Sequence, residues 1–167
     1  MEIVVNDTNI LIDLYNAGLL PFCGKLDIEF RTLDVVLEEI RNGNQMDAVR
    51  QMIDDGVLKV FSLSGEQMFS VMRKVGQYNG VCNLSVVDIS VMVYASENNL
   101  RLLTGDKVLR EKASSENIPV SGILYLTDMM SGSGAVANDV MKVALQRLLQ
   151  YNNRLPKRLI EERLKSL

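Results

Sequence analysis

A chain of 167 residues, 47% hydrophobic and 23% charged, has enough apolar material to build one domain around one core without disulfide or metal staples. It contains no histidine and two distant cysteines, which sets aside Ser–His and Cys–His catalysis and tetrahedral zinc sites, so any hydrolytic chemistry falls to carboxylates and a hard cation. The net charge of −3 is unevenly spread: residues 141–167 hold seven basic and two acidic residues, leaving 11 basic against 19 acidic in the rest. An acidic body with a basic end suits a metal site beside a phosphate- or partner-binding surface, and equally a solvated helix face.

The pattern alternates strand and helix in chain order. Glu2–Val5 reads as a buried strand and Ile10–Asn16 as a helix that Gly18 ends. Ile28–Leu33 is the second strand, and Asp34 caps a helix that runs to Asn42–Gly43. A helix over Gln45–Asp54 stops at Gly56, and Val57–Leu63 is the third strand. Ser64 and Gln67 form a capping box for a helix reaching about Gln77, before a turn at Asn79–Gly80. Ser85 opens a helix to Asn98, Leu100–Thr104 is a strand, Lys107–Glu116 a helix and Ile118–Ser121 the last strand. Helical segments follow, with Ser131–Gly134 as the only flexible link. The expected organisation is a single domain over 1–167, with 135–167 a helical segment packed on it. Without an apolar run of membrane-spanning length or a leader at Met1, the protein is expected in the cytoplasm with its cysteines as free thiols.

Strand–helix alternation implies α/β architecture: a three-layer α/β/α sandwich around a central, mainly parallel five-stranded sheet. In such sheets ligands gather outside the carboxyl ends of the strands. Asp7 follows the first strand in Asn6-Asp7-Thr8-Asn9, and Asp106 follows a later one in Thr104-Gly105-Asp106-Lys107. Each reads singly as a helix cap. Asp88 is the only charge between Ser85 and Glu97 in an apolar helix; it closes a Ser-x-x-Asp capping box, and a buried carboxylate there also calls for a cation. On the helix after Asp34, Glu39 lies about 60° from Val36 and faces inward, whereas Glu38 points to solvent. Four converging acids repel one another unless a divalent ion neutralises them, and magnesium or manganese with oxygen ligands fits. Such a site activates water for in-line phosphoryl displacement without histidine.

These stretches, together with Val36-Leu37-Glu38-Glu39-Ile40 and Leu84-Ser85-Val86-Val87-Asp88, resemble the PIN-domain family of nucleases over about Met1–Leu126. The ending resembles that of the VapC-type toxin branch. The resemblance implies a magnesium- or manganese-dependent endoribonuclease with Asp7, Glu39, Asp88 and Asp106 as metal-binding catalytic acids. Thr8, Asn9 and Thr104 would be supporting residues. It also implies an RNA substrate, a cognate antitoxin and a homodimer as partners. Lys107 and Arg110, and more weakly Arg41, are candidate phosphate contacts, or else ordinary helix charges. With no Trp and few aromatics, no base-stacking platform is visible, and Tyr94 and Tyr151 carry no motif support. The methionines read as core filler. The alternative function is an inactive module binding RNA or a protein. An aspartyl phosphatase is disfavoured, because Asp7-Thr8-Asn9 lacks the second Asp two residues on.

Overall fold

The computed structural model describes residues 1–167. Its centre is β1 (Glu2–Asn6), where Val4, Val5 and Asn6 have no exposed surface, so both faces of the strand are covered as in a parallel sheet. Around it lie β2 (Ile28–Leu33), β3 (Leu58–Phe61), β4 (Arg101–Leu103) and β5 (Val120–Ser121), all parallel, in the spatial order β3-β2-β1-β4-β5. The order runs outward from β1 in one direction and then resumes on its other side. The topological switch point is therefore the gap between β1 and β4.

Helices flank the sheet, giving the expected three-layer α/β/α sandwich: α1 (Thr8–Ala17), α2 (Asp34–Leu37), α3 (Gly43–Asp54), α4 (Gly65–Tyr78), α5 (Val86–Glu97), α6 (Lys107–Ser115), α7 (Ile123–Gly132), α8 (Asn138–Tyr151) and α9 (Lys157–Ser166). α5 is the central one, with every residue from Ile89 to Ala95 buried. Helices α8 and α9 add Met141, Leu145, Leu148 and Ile160 to the same core that holds Val5 and Phe30. The bidentate Arg163–Asp128 pair, at 2.6 Å for both bonds, ties α9 to α7. Gly18, at φ +74°, lets its N–H close the end of α1 on Leu14, a conformation L side chains resist. No helix is long and apolar enough to cross a membrane. The cysteines are free, and burial pushes the Cys23 thiol up to about 12.

Several elements depart from the sequence reading. The helix after Asp34 lasts one turn and stops at Leu37, because Ile40 must return to the core and Asn42 swings out to cap α3 through Gln45 N–H at 3.0 Å. The third strand is shorter than Val57–Leu63. A 3₁₀ turn over Leu20–Lys25, where Pro21 sits in the first turn, was not signalled by any periodicity. The link at Ser131–Gly134 is helical through Gly132. The methionines divide: Met52, Met92, Met130 and Met141 are core, but Met68 and Met72 stand exposed on α4 beside Phe69.

Candidate active site

The site begins where β1 and β4 end side by side. Asp7 N–H donates to Leu103 O at 2.9 Å, so the two strands deliver their next residues to one place. Asp7 then caps α1, its Oδ1 accepting from Thr8 N–H at 2.8 Å, and Asp106 caps α6, its Oδ1 accepting from Leu109 N–H at 2.8 Å. Capping engages one oxygen of each carboxylate and leaves Asp106 Oδ2 without a protein partner, so cap and ligand are compatible roles there.

Two side chains bind these ends together. Thr104 Oγ1 donates to Asp7 Oδ2 at 2.9 Å and accepts from Asp106 N–H at 3.1 Å. Asn9 Nδ2 donates to the same Asp7 oxygen at 3.0 Å while its Oδ1 accepts from Gly105 N–H at 2.7 Å. Gly105 permits this approach: a Cβ there would stand 3.3 Å from Asn9 Oδ1. Asp7 and Thr104 are buried, so neither geometry is open to competition from bulk water.

Glu39 and Asp88 are held differently, each by one partner. The Thr8 hydroxyl donates to Glu39 Oε2, and this bond alone distinguishes Glu39 from Glu38. Both side chains are exposed and both lie in the turn beyond α2, so Glu39 does not face inward from a continuing helix as expected. Asp88 closes the capping box: its Oδ2 accepts from Ser85 N–H at 2.8 Å and its own N–H donates to Ser85 Oγ at 3.0 Å.

The four acids share one electrostatic neighbourhood. Burial pushes Asp7 up to about 6, against the pull of the Thr8 N–H and the Thr104 hydroxyl, and the charges of Asp88 and Glu39 push it the same way. Asp88 is also raised, first by burial and then by Asp106 and Glu39, while its Ser85 bonds oppose. As they stand the carboxylates do not close into a cage, since no three Asp, Glu, Cys or His side chains meet at metal-ligating spacing. The donor chemistry nevertheless fits a hard divalent cation: oxygen donors only, a buried aspartate, and mutual repulsion that a cation would relieve.

The other sequence candidates lie outside this cluster. Lys107 is 83% exposed and faces Glu111 at 3.8 Å, an ordinary helix pair. Arg110 is exposed and leans over Gly122 at the start of α7. A residue the sequence reading passed over is Asp13. It is buried on α1, accepts from Asn152 Nδ2 at 2.8 Å, and is pushed up to about 6 by burial against the Asn152 bond and the Arg154 charge. Its signal was available, because Ile10, Asp13, Leu14 and Ala17 share one helical face and only Asp13 is polar.

A PIN-domain family model matches residues 3–167. Endoribonuclease Nob1 of Methanocaldococcus jannaschii is 32% identical over 128 residues, 75% of this chain, and the chain covers 58% of that relative's length. PAE2754 of Pyrobaculum aerophilum superposes with a TM-score of 0.55 at 17% identity, over 78% of this chain and 98% of that one. VapBC2 of Rickettsia felis, solved with a DNA fragment from its promoter, superposes with a TM-score of 0.50 at 16% identity, over 72% and 98%. At those identities the two superpositions speak to the fold alone.

Proposed function

The chain belongs to the PIN-domain family, and from that premise we propose that it is a magnesium- or manganese-dependent endoribonuclease. The observation that carries the reading is the joining of Asp7 to the Asp106 turn through Thr104 and Asn9 at the sheet's switch point, with the charges of Glu39 and Asp88 bearing on it. Asp7, Glu39, Asp88 and Asp106 would hold the ion. When bound, the ion supplies charge neutralisation at phosphorus and a water acidic enough to attack it.

The protein's own groups do the rest. Thr104 and Asn9 fix Asp7 Oδ2, Thr8 orients Glu39, and Ser85 orients Asp88 through the capping box. With no histidine in the chain, protons leaving the attacking water pass to carboxylate or solvent. RNA is preferred over DNA as substrate on the strength of the 32% likeness to an endoribonuclease. The narrower reading, the toxin of a toxin–antitoxin pair in the cytoplasm, follows the sequence resemblance of the ending to VapC-type toxins. A protein partner, an antitoxin or a second copy, is favoured by one feature: Met68, Phe69 and Met72 stand 57%, 72% and 63% exposed on α4.

The test is incubation of structured and single-stranded RNA, and DNA of the same sequence, with the protein in manganese. RNA should be cut, EDTA should stop the reaction, and Asp106→Asn should lack it. Absence of metal-dependent cleavage across a broad RNA set would instead favour an inactive module that binds RNA or a protein.

A further inference from the structure

Beside the acids lies a second feature that the reaction does not use. A cleft of about 290 Å³ opens between α1 and the loop joining α8 to α9. Two of its walls are Asn9 and Gly105, the pair that clamps Asp7 to the Asp106 turn, so the cleft is continuous with the acidic edge. Its floor is Asp13, and its outer wall is Tyr151, Asn153 and Arg154. The volume is at the small end for ligand sites, the size of a nucleobase with its sugar.

The loop is fixed by its own hydrogen bonds. Asn152 Nδ2 donates to Asp13 Oδ2 at 2.8 Å, and Asn152 Oδ1 accepts from Arg154 N–H at 3.0 Å. This holds Arg154 at the mouth, exposed, without a carboxylate at ion-pairing distance, and as the only cation lining the cleft. Tyr151 is 60% exposed and presents ring surface next to it. Asp13 is buried below them and spends one oxygen on Asn152, which leaves the other as an acceptor toward the cleft. A guanidinium donor for phosphate outside, an aromatic wall, and a buried hydrogen-bond acceptor inside follow the polarity of a nucleotide entering base first.

We infer that this cleft is a nucleotide subsite for the RNA strand flanking the cut, with Arg154 taking a phosphate, Tyr151 stacking on the base and Asp13 accepting from the base's amino edge. This rests on the nuclease reading for its substrate, and it explains what part of the basic C-terminal segment is for. The acidic edge repels a polyanion; one guanidinium delivered beside it by the α8–α9 loop anchors the strand there. A buried acceptor favours cytosine, adenine or guanine, whose exocyclic amine projects two N–H donors from the base edge, over uracil, whose single base donor, N3–H, is recessed between two carbonyls that face the carboxylate unfavourably.

Anisotropy of fluorescein-labelled ten-nucleotide oligo(C) and oligo(U), measured in EDTA, tests the subsite, with cleavage in manganese run on the same proteins. Wild type should prefer oligo(C). Arg154→Ala and Tyr151→Ala, both exposed positions, should each weaken binding roughly tenfold, and Arg154→Ala should lower the salt slope by about 0.7. In cleavage both should raise KM with kcat within about twofold. Asp13→Asn keeps an acceptor for Asn152 and turns an amide N–H to the cleft, so the preference should move toward oligo(U). Equal affinity and KM in wild type and all variants overturns the subsite while leaving the nuclease standing. Binding lost in the variants without cleavage by wild type keeps the subsite and removes the nuclease reading. A wild type that neither binds nor cleaves overturns both.

Discussion

The centre and the rim of the acidic edge are built differently. At the centre, Asp7 and the Asp106 turn are joined by two bridging side chains, Thr104 and Asn9, each touching both motifs. At the rim, Glu39 and Asp88 are each oriented by a single partner, Thr8 and Ser85, and are more exposed than Asp7. The centre is therefore rigid and set by the sheet, whereas the rim can shift by rotamer. This explains how the acids feel one another's charge without forming a closed cage: a cation would be met by fixed Asp7 and drawn in by movable Glu39 and Asp88.

Substitutions break that comparison in order of size. Asp7→Asn and Asp106→Asn should each lower manganese-dependent cleavage by at least about a thousandfold, the several kcal/mol that a catalytic ion contributes, with thermal melts showing the metal-free fold kept. Thr104→Val comes next. It takes a donor from buried Asp7 and an acceptor from Asp106 N–H, so stability should drop by about 1–3 kcal/mol and metal affinity by roughly 10–100-fold, read by denaturant titration and calorimetry. At the rim, Thr8→Val should cost less affinity than Thr104→Val. Glu39→Gln should lose activity where Glu38→Gln keeps it; equal losses in the two glutamines would end the distinction between them.

The smallest effect sharpens the comparison from outside the site. Asp13 rises from its ordinary 3.8 to about 6 on folding, so the native state binds the extra proton between those values. That contribution to stability is full below 3.8 and is lost as pH rises through about 6. Glu2, Glu29 and Glu116 are lowered by their Arg, Lys and Tyr partners against any cost of burial, and they act in the opposite sense, losing stability as pH falls below their ordinary range. Above the ordinary glutamate value of 4.5, where that gain is complete, metal-free stability should therefore fall until about pH 6, with Asp7 adding to the fall. Asp13→Asn should flatten part of this decline in urea titrations at several pH values.

The sheet was legible because its strands are short apolar runs ended by polar residues, and Asp7 and Asp106 were legible because they follow those runs directly. Glu39 was found by a helical-wheel argument that the structure replaces: α2 ends at Leu37, and the Thr8 hydroxyl, 31 positions away, orients the carboxylate. No local pattern carries a contact of that span. The same holds for Asp13 and Asn152, which meet across 139 positions, and for Tyr151, whose place on a cleft depends on how α8 packs against α1. Periodicity reports which face of an element is apolar; it does not report which distant loop arrives over a polar exception on that face.

Manganese titration by calorimetry into wild type and Asp7→Asn tests the central claim most directly. The account predicts binding in wild type that weakens by at least about a hundredfold in the variant, since the buried centre anchors the ion. Equal affinity in the two proteins, or no binding in wild type, would contradict it.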